Sequence, residues 1–144
     1  MSQSERGFSM IELMMVVLVM GIVAAFAVPS ALQMSQGMKL SGAANAIAGQ
    51  LRLARSKAMA TGLDQTVHFS ADSLGCDYHV HSSAGVITPL AKLPNGVTYT
   101  ASTFKSVTMS SSGRASTSIF IGVRDRRGDV DTVSVQASGL VTIF

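Results

Sequence analysis

Glu12 is the only charged residue in an apolar segment that runs from Phe8 to Val28 and is closed by Pro29. Sixteen residues, Leu13 to Val28, pass without a charge or a strongly hydrogen-bonding side chain. A carboxylate at the centre of a membrane-spanning helix costs about 2.5 to 3.5 kcal/mol, and less towards an interface. The chemistry open to Glu12 is therefore ion pairing, because a buried carboxylate is tolerable where a cation meets it and costly where none does. The competing reading is solvation at headgroup level, five residues into the segment.

The other residues of chemical type are fewer than the length suggests. His68, His79 and His81 are of a metal-ligating type, and His79 and His81, two apart, share one face of a strand. No acidic or cysteine ligand is set beside them by spacing, and alternation with Tyr78 and Val80 assigns both to the solvent face, so no metal and no cofactor are expected. Cys76 is the single cysteine; it excludes an internal disulfide and reads as a small buried apolar residue, not a reactive thiol. No glycine-rich phosphate loop and no nucleophile elbow is present, and the chain is not expected to be an enzyme. Arg127-Gly128-Asp129 matches a short adhesion tripeptide, but glycine there is what a turn demands.

Arg114, Arg124, Arg126 and Arg127 cluster in the last third and are the candidate DNA contacts, since a basic patch meets phosphates without sequence preference. Asp125, Asp129 and Asp131 stand among them and pair with or screen them. The formal net charge is +3, and Glu5 and Arg6 cancel, so removal of the first seven residues leaves it there. This mild basicity is not that of a dedicated nucleic-acid binder.

These residues need elements to position them. From Phe8 to Val28 there are 21 residues, enough for the roughly 20 of a bilayer-spanning helix. Beyond Pro29, Leu40, Ala44, Ile47, Leu51, Ala54 and Ala58 recur at helical spacing, with Lys39, Asn45, Arg52, Ser56 and Lys57 on the other face. Gly37, Gly42 and Gly49 each weaken this helix by about 1 kcal/mol relative to alanine, so packing must hold it. A helix from Phe8 to Ala60 is expected, kinked or locally melted near Pro29 and stopped at Gly62.

Past Gly62 the period becomes alternating, and strands are expected at Gln65 to Ser70, Asp77 to Ser82, Val97 to Ser102, Phe104 to Met109, Ser118 to Val123, Val130 to Gln136 and Leu140 to Phe144. Turn signals at Asp72, Gly75, Gly85, Pro94-Asn95-Gly96, Ser112-Gly113 and Arg127-Gly128-Asp129 separate them. The expected fold class is α+β, a long N-terminal helix laid on one C-terminal antiparallel sheet.

Gly7-Phe8-Ser9-Met10-Ile11-Glu12-Leu13, followed by the apolar run and Pro29, resembles the N-terminus of a type IV prepilin or a type II secretion pseudopilin. The resemblance implies cleavage between Gly7 and Phe8 by a prepilin peptidase and N-methylation of Phe8. It also implies that Glu12 meets the cationic N-terminus of a neighbouring subunit, a charge that Phe8 supplies only after cleavage. A weak site around Ala24, Ala25 and Ala27 keeps a cleaved secretory signal as a minor alternative. Within that superfamily, Leu51 to Met59, a strand near Val67, and Ser111 to Ala115 resemble the GspH/FimT minor pseudopilin family.

This resemblance implies a pilin-like fold divided into a leader (1–7), a transmembrane helix (8–28), an amphipathic continuation (29–61) and a periplasmic sheet domain (62–144). Charge alone does not orient the span; the resemblance places the N-terminus in the cytoplasm and the domain in the periplasm, with a single pass through the bacterial inner membrane. The implied function is a minor subunit of a type II secretion pseudopilus or a type IV pilus. Its implied partners are the prepilin peptidase, other subunits of the filament, the inner-membrane assembly platform and the membrane itself. The alternative is a DNA-binding minor pilin acting in DNA uptake. Some members with that role carry G-R-x-R near the C-terminus, where Gly139-Leu140-Val141-Thr142 keeps the glycine and lacks both arginines.

Overall fold

A computed structural model describes residues 8–69, 75–82, 84–86, 91–100 and 106–144. The expected leader, Ser70, the Asp72 turn and parts of two expected strands (101–102 and 104–105) lie outside the described residues. The chain forms two compact units, Met1–Gln36 and Gly37–Phe144.

Helix α1 spans Met10–Thr61. Ser9 starts it: its carbonyl oxygen accepts from the N–H groups of Glu12 and Leu13 at 3.0 and 3.2 Å. A kink or local melting was expected at Pro29; Pro29 lies inside α1, so the helix does not melt there. Proline removes one backbone bond at a cost of about 3 kcal/mol, and the helical bonds on either side outlast that loss. The helix ends as expected at Gly62, whose φ of +70° is the left-handed conformation that glycine adopts without a steric penalty; its N–H donates to the Ala58 carbonyl.

In the first unit the large apolar side chains, from Met10 through Met34, are exposed. This helix is long and apolar enough to cross a membrane.

In the second unit the predicted stripe is the core. Leu40, Ala44, Ile47, Leu51, Ala54 and Ala58 are buried, joined by Ala43 and Ala48. Small residues alternate with large ones, so the helix lies close against its partners. Lys39, Asn45, Arg52 and Ser56 are exposed and Lys57 half-buried, as the amphipathic pattern requires.

The strands are β1 (Gln65–Phe69), β2 (Tyr78–Ser82), β3 (Gly85–Val86), β4 (Thr98–Tyr99), β5 (Ser106–Met109), β6 (Ile119–Arg124), β7 (Val130–Val135) and β8 (Val141–Ile143). They form two antiparallel sheets instead of the single one expected, in the orders β3-β2-β1-β5 and β4-β6-β7-β8. Strand β3 occupies a position read from the sequence as a turn. Gly85, with φ +115°, serves both as the turn residue and as the partner of Ser82.

Register puts the apolar rows in line. In the first sheet Val67 stands opposite Val80 on one side and Val107 on the other. In the second, Ile119 faces Val135, which faces Val141, while Ile121 faces Val133, which faces Ile143. All three rows belong to the hydrophobic cluster that includes the helix stripe, with Ile143 partly buried against it. The sheets meet where Met109 bridges to Ala115, and again where the Tyr99 hydroxyl donates to the Asp77 carbonyl at 3.0 Å. Burial of Tyr99, and secondarily the Asp77 charge, push its hydroxyl pKa above the ordinary tyrosine value.

Candidate functional site

The chemistry of the N-terminal unit is concentrated in one helical turn. Phe8 is exposed just before the helix, Ser9 begins it, and Glu12 lies in its first turn. The first turn leaves backbone N–H groups without helical partners and carries the positive end of the helix dipole, so a carboxylate is favoured there. Glu12 has no ion-pair partner among the described residues. Ser9 is a functional detail that reasoning from Glu12 alone overlooked, although the spacing Ser-x-x-Glu ahead of an apolar run is a start signal for a helix. Gly7 lies outside the described residues.

The four arginines do not make one patch. Ala115, beside Arg114, donates its N–H to the Ala137 carbonyl near the start of β6, whereas Arg124 ends that strand and Arg126 and Arg127 follow it. Six residues of strand separate the two places by about 17 Å. Arg127 is engaged locally. Its Nε donates to Asp125 at 3.1 Å and its Nη2 lies 2.8 Å from Asp129. The Asp125 carboxylate also accepts the backbone N–H groups of Arg127 and Asp129, at 2.8 and 3.0 Å. Desolvation works upward on this buried carboxyl, but the side-chain and backbone hydrogen bonds and the Arg127 charge outweigh it and hold its pKa below the ordinary carboxylate value. Arg126 lies over Gly96. The internally paired turn anticipated from the aspartates is what forms, and the Arg-Gly-Asp tripeptide is part of it.

Two segments that are distant in sequence meet on the helix. Gly113 is buried, and a Cβ built on it would lie 2.7 Å from the Met59 sulfur and 3.3 Å from Arg55 Nε. One built on Gly139 would fall on the Gly113 carbonyl oxygen and reach Arg55 Nε at 3.0 Å. Thus the Leu51 to Met59 and Ser111 to Ala115 segments are complementary halves of one contact. Arg55 and Gly139 had no signal in spacing that joined them.

The histidines depart from expectation. His79 and His81 do lie on the face turned away from the helix, but His79 is only 5% exposed and His81 is half-buried. Register places His68 directly across from His79, and Cys76 Sγ comes within 3.5 Å of His79 Nδ1. Chain spacing brought neither neighbour to them. Cys76 itself is 1% exposed.

An apolar N-terminal helix continuing onto antiparallel sheets defines a pilin-like α+β protein. Solved minor pilins and pseudopilins share this fold, two of them as follows. The type IV minor pilin FimU of Pseudomonas aeruginosa superposes with a TM-score of 0.60, at 16% identity, over 77% of this chain and 92% of that one. The minor pseudopilin EpsH of the Vibrio cholerae Type 2 Secretion System gives 0.57, at 16% identity, over 74% and 96%. No curated protein sequence matches.

The prokaryotic N-terminal methylation motif matches residues 2–28. The family described as Type II transport protein GspH matches residues 43–139, more than half of the chain, and this protein belongs to that family. It is a minor pseudopilin or pilin subunit. The family carries with it assembly with other pilin subunits and processing by a prepilin peptidase, and the N-terminal match carries anchoring in a membrane. Nothing in these likenesses supports the DNA-uptake alternative.

Proposed function

We propose that the chain is cut between Gly7 and Phe8, that Phe8 becomes an N-methylated N-terminus, and that Glu12 pairs with the Phe8 ammonium of a neighbouring subunit in the filament. The first seven residues are the leader, 8–28 cross the bacterial inner membrane once with the N-terminus cytoplasmic, 29–61 continue the helix, and 62–144 form the periplasmic domain. The inner-membrane assembly platform is a further partner. The observation that carries this reading is the exposed apolar surface of the first unit, interrupted by a single carboxylate in its first helical turn. Such a surface needs lipid or other helices around it, and such a carboxylate needs a cation. Methylation leaves an amine that still takes a proton, so the pair survives it.

The test is Glu12→Ala in full-length protein made alongside its peptidase and filament partners. Membrane insertion and leader removal, read by fractionation and by the mass of the mature N-terminus, are expected to persist. Recovery in sheared filaments is expected to fall tenfold or more, since about 1.4 kcal/mol is tenfold and a broken buried pair exceeds that. Wild-type recovery in filaments overturns the pairing.

A further inference from the structure

Strands β1 and β2 carry three imidazoles to one small area on the sheet face away from the helix. His68 stands across from His79 in the register, and His81 lies two residues further along β2, so the pleat turns all three to the same side. One coordinating atom from each lies within 4.8 Å of those of the other two. His68 Nε2 and His81 Nε2 are 2.8 Å apart. The rings are stacked, with centroids 4.7 to 5.7 Å from one another.

We propose that His68, His79 and His81 are the ligands of a site for a late first-row divalent cation of the Zn2+ type. Imidazole is the donor such cations favour, whereas Mg2+ and Ca2+ take oxygen ligands. Three protein nitrogens with a fourth position open to water is an accepted zinc donor set. Nitrogens bound at about 2.0 to 2.1 Å to a tetrahedral ion stand about 3.3 Å apart. The closest pair opens by about half an ångström to reach that spacing, and the third nitrogen moves inward by about 1.5 Å at most. Rotation about the broad terminal torsion of histidine supplies both movements and turns the stacked planes towards a common point.

The surroundings suit this. Cys76 Sγ against His79 Nδ1 is an outer contact of the kind that fixes a ligand ring, and it directs coordination to Nε2. His81 also lines an open depression of about 860 Å³, together with Asp64, Thr66 and Thr108, which provides the entry path. The ion ties β1 to β2 and stabilises the domain by mass action.

The experiment is titration of the full-length, detergent-solubilised protein with ZnCl2 against a chromophoric chelator. The expected result is one Zn2+ per chain with a dissociation constant below about 10 µM, no competition from Mg2+, and a raised thermal midpoint. His68→Gln and His81→Gln are each expected to weaken binding about tenfold or more, with unchanged circular dichroism. Saturation only above about 100 µM, or wild-type affinity in the double variant, overturns the site. Should a variant fail to fold, Co2+ on the wild-type chain decides: an intense visible spectrum of tetrahedral type supports the site, and a weak octahedral one overturns it.

Discussion

Asp125 shows how one carboxylate organises a turn that a charge count misreads as a basic patch. Three donors converge on it, two of them backbone N–H groups that no solvent-facing side chain supplies. Its folded pKa is lowered, so its contribution is fully present above the unfolded carboxyl value and fades as pH falls from about 4 towards the lowered folded value. Chemical denaturation between neutral and acid pH should show that loss, and Asp125→Asn should lower the midpoint at neutral pH while shrinking the acid-side decline. Gly139 makes a second case. It was legible as the glycine retained from a basic motif, but its φ of +79° and its closeness to the Gly113 carbonyl give it a steric role. Gly139→Ala should cost about 1 to 3 kcal/mol in backbone conformation alone, read as a lower denaturation midpoint, with more lost to the clash. The pairing proposed for Glu12 is of another kind: its residue type and place were readable in the chain, and the proposed partner lies on a neighbouring subunit.

At the level of elements, the long helix was the most legible part, because a six-residue stripe at helical spacing admits few other solutions. Ile47→Ala, at a fully buried position, should cost about 2 to 5 kcal/mol. Gly42 is exposed, with nothing within 4 Å of an added Cβ, and Gly42→Ala should raise stability by about 0.5 to 1 kcal/mol. Opposite signs at two positions five residues apart, measured by urea unfolding, separate packing from propensity. The strands were legible to within a residue or two wherever alternation ran for five residues or more, as at β1, β6 and β7. Strand β3 was not, since two residues around a glycine carry no period. The division into two sheets was equally hidden, because β1 takes β5 as its neighbour across the 36 residues of chain between them (70–105), and alternation states which face is buried but not which strand is adjacent.

For the whole molecule, every buried core residue among the described residues lies at Leu40 or beyond, and Gly37–Phe144 is a compact unit. A fragment of residues 37–144 should therefore unfold in a single cooperative transition in the absence of detergent, monitored by circular dichroism; a broad, non-cooperative melt contradicts this. The amino-acid sequence by itself determined the membrane-type N-terminal segment, its lone carboxylate, the buried helix stripe and the alternation of most strands. These depend on residues near one another in the chain, where composition and period act directly. The tertiary structure alone decided that the arginines lie at two ends of β6, that Arg55 meets Gly113 and Gly139, and that three histidines share one sheet face with Cys76 against His79. Each of those outcomes depends on strand register and sheet order. A strand's hydrophobic pattern constrains its inward face strongly, while the identity of its neighbours follows from how the entire core closes over the helix.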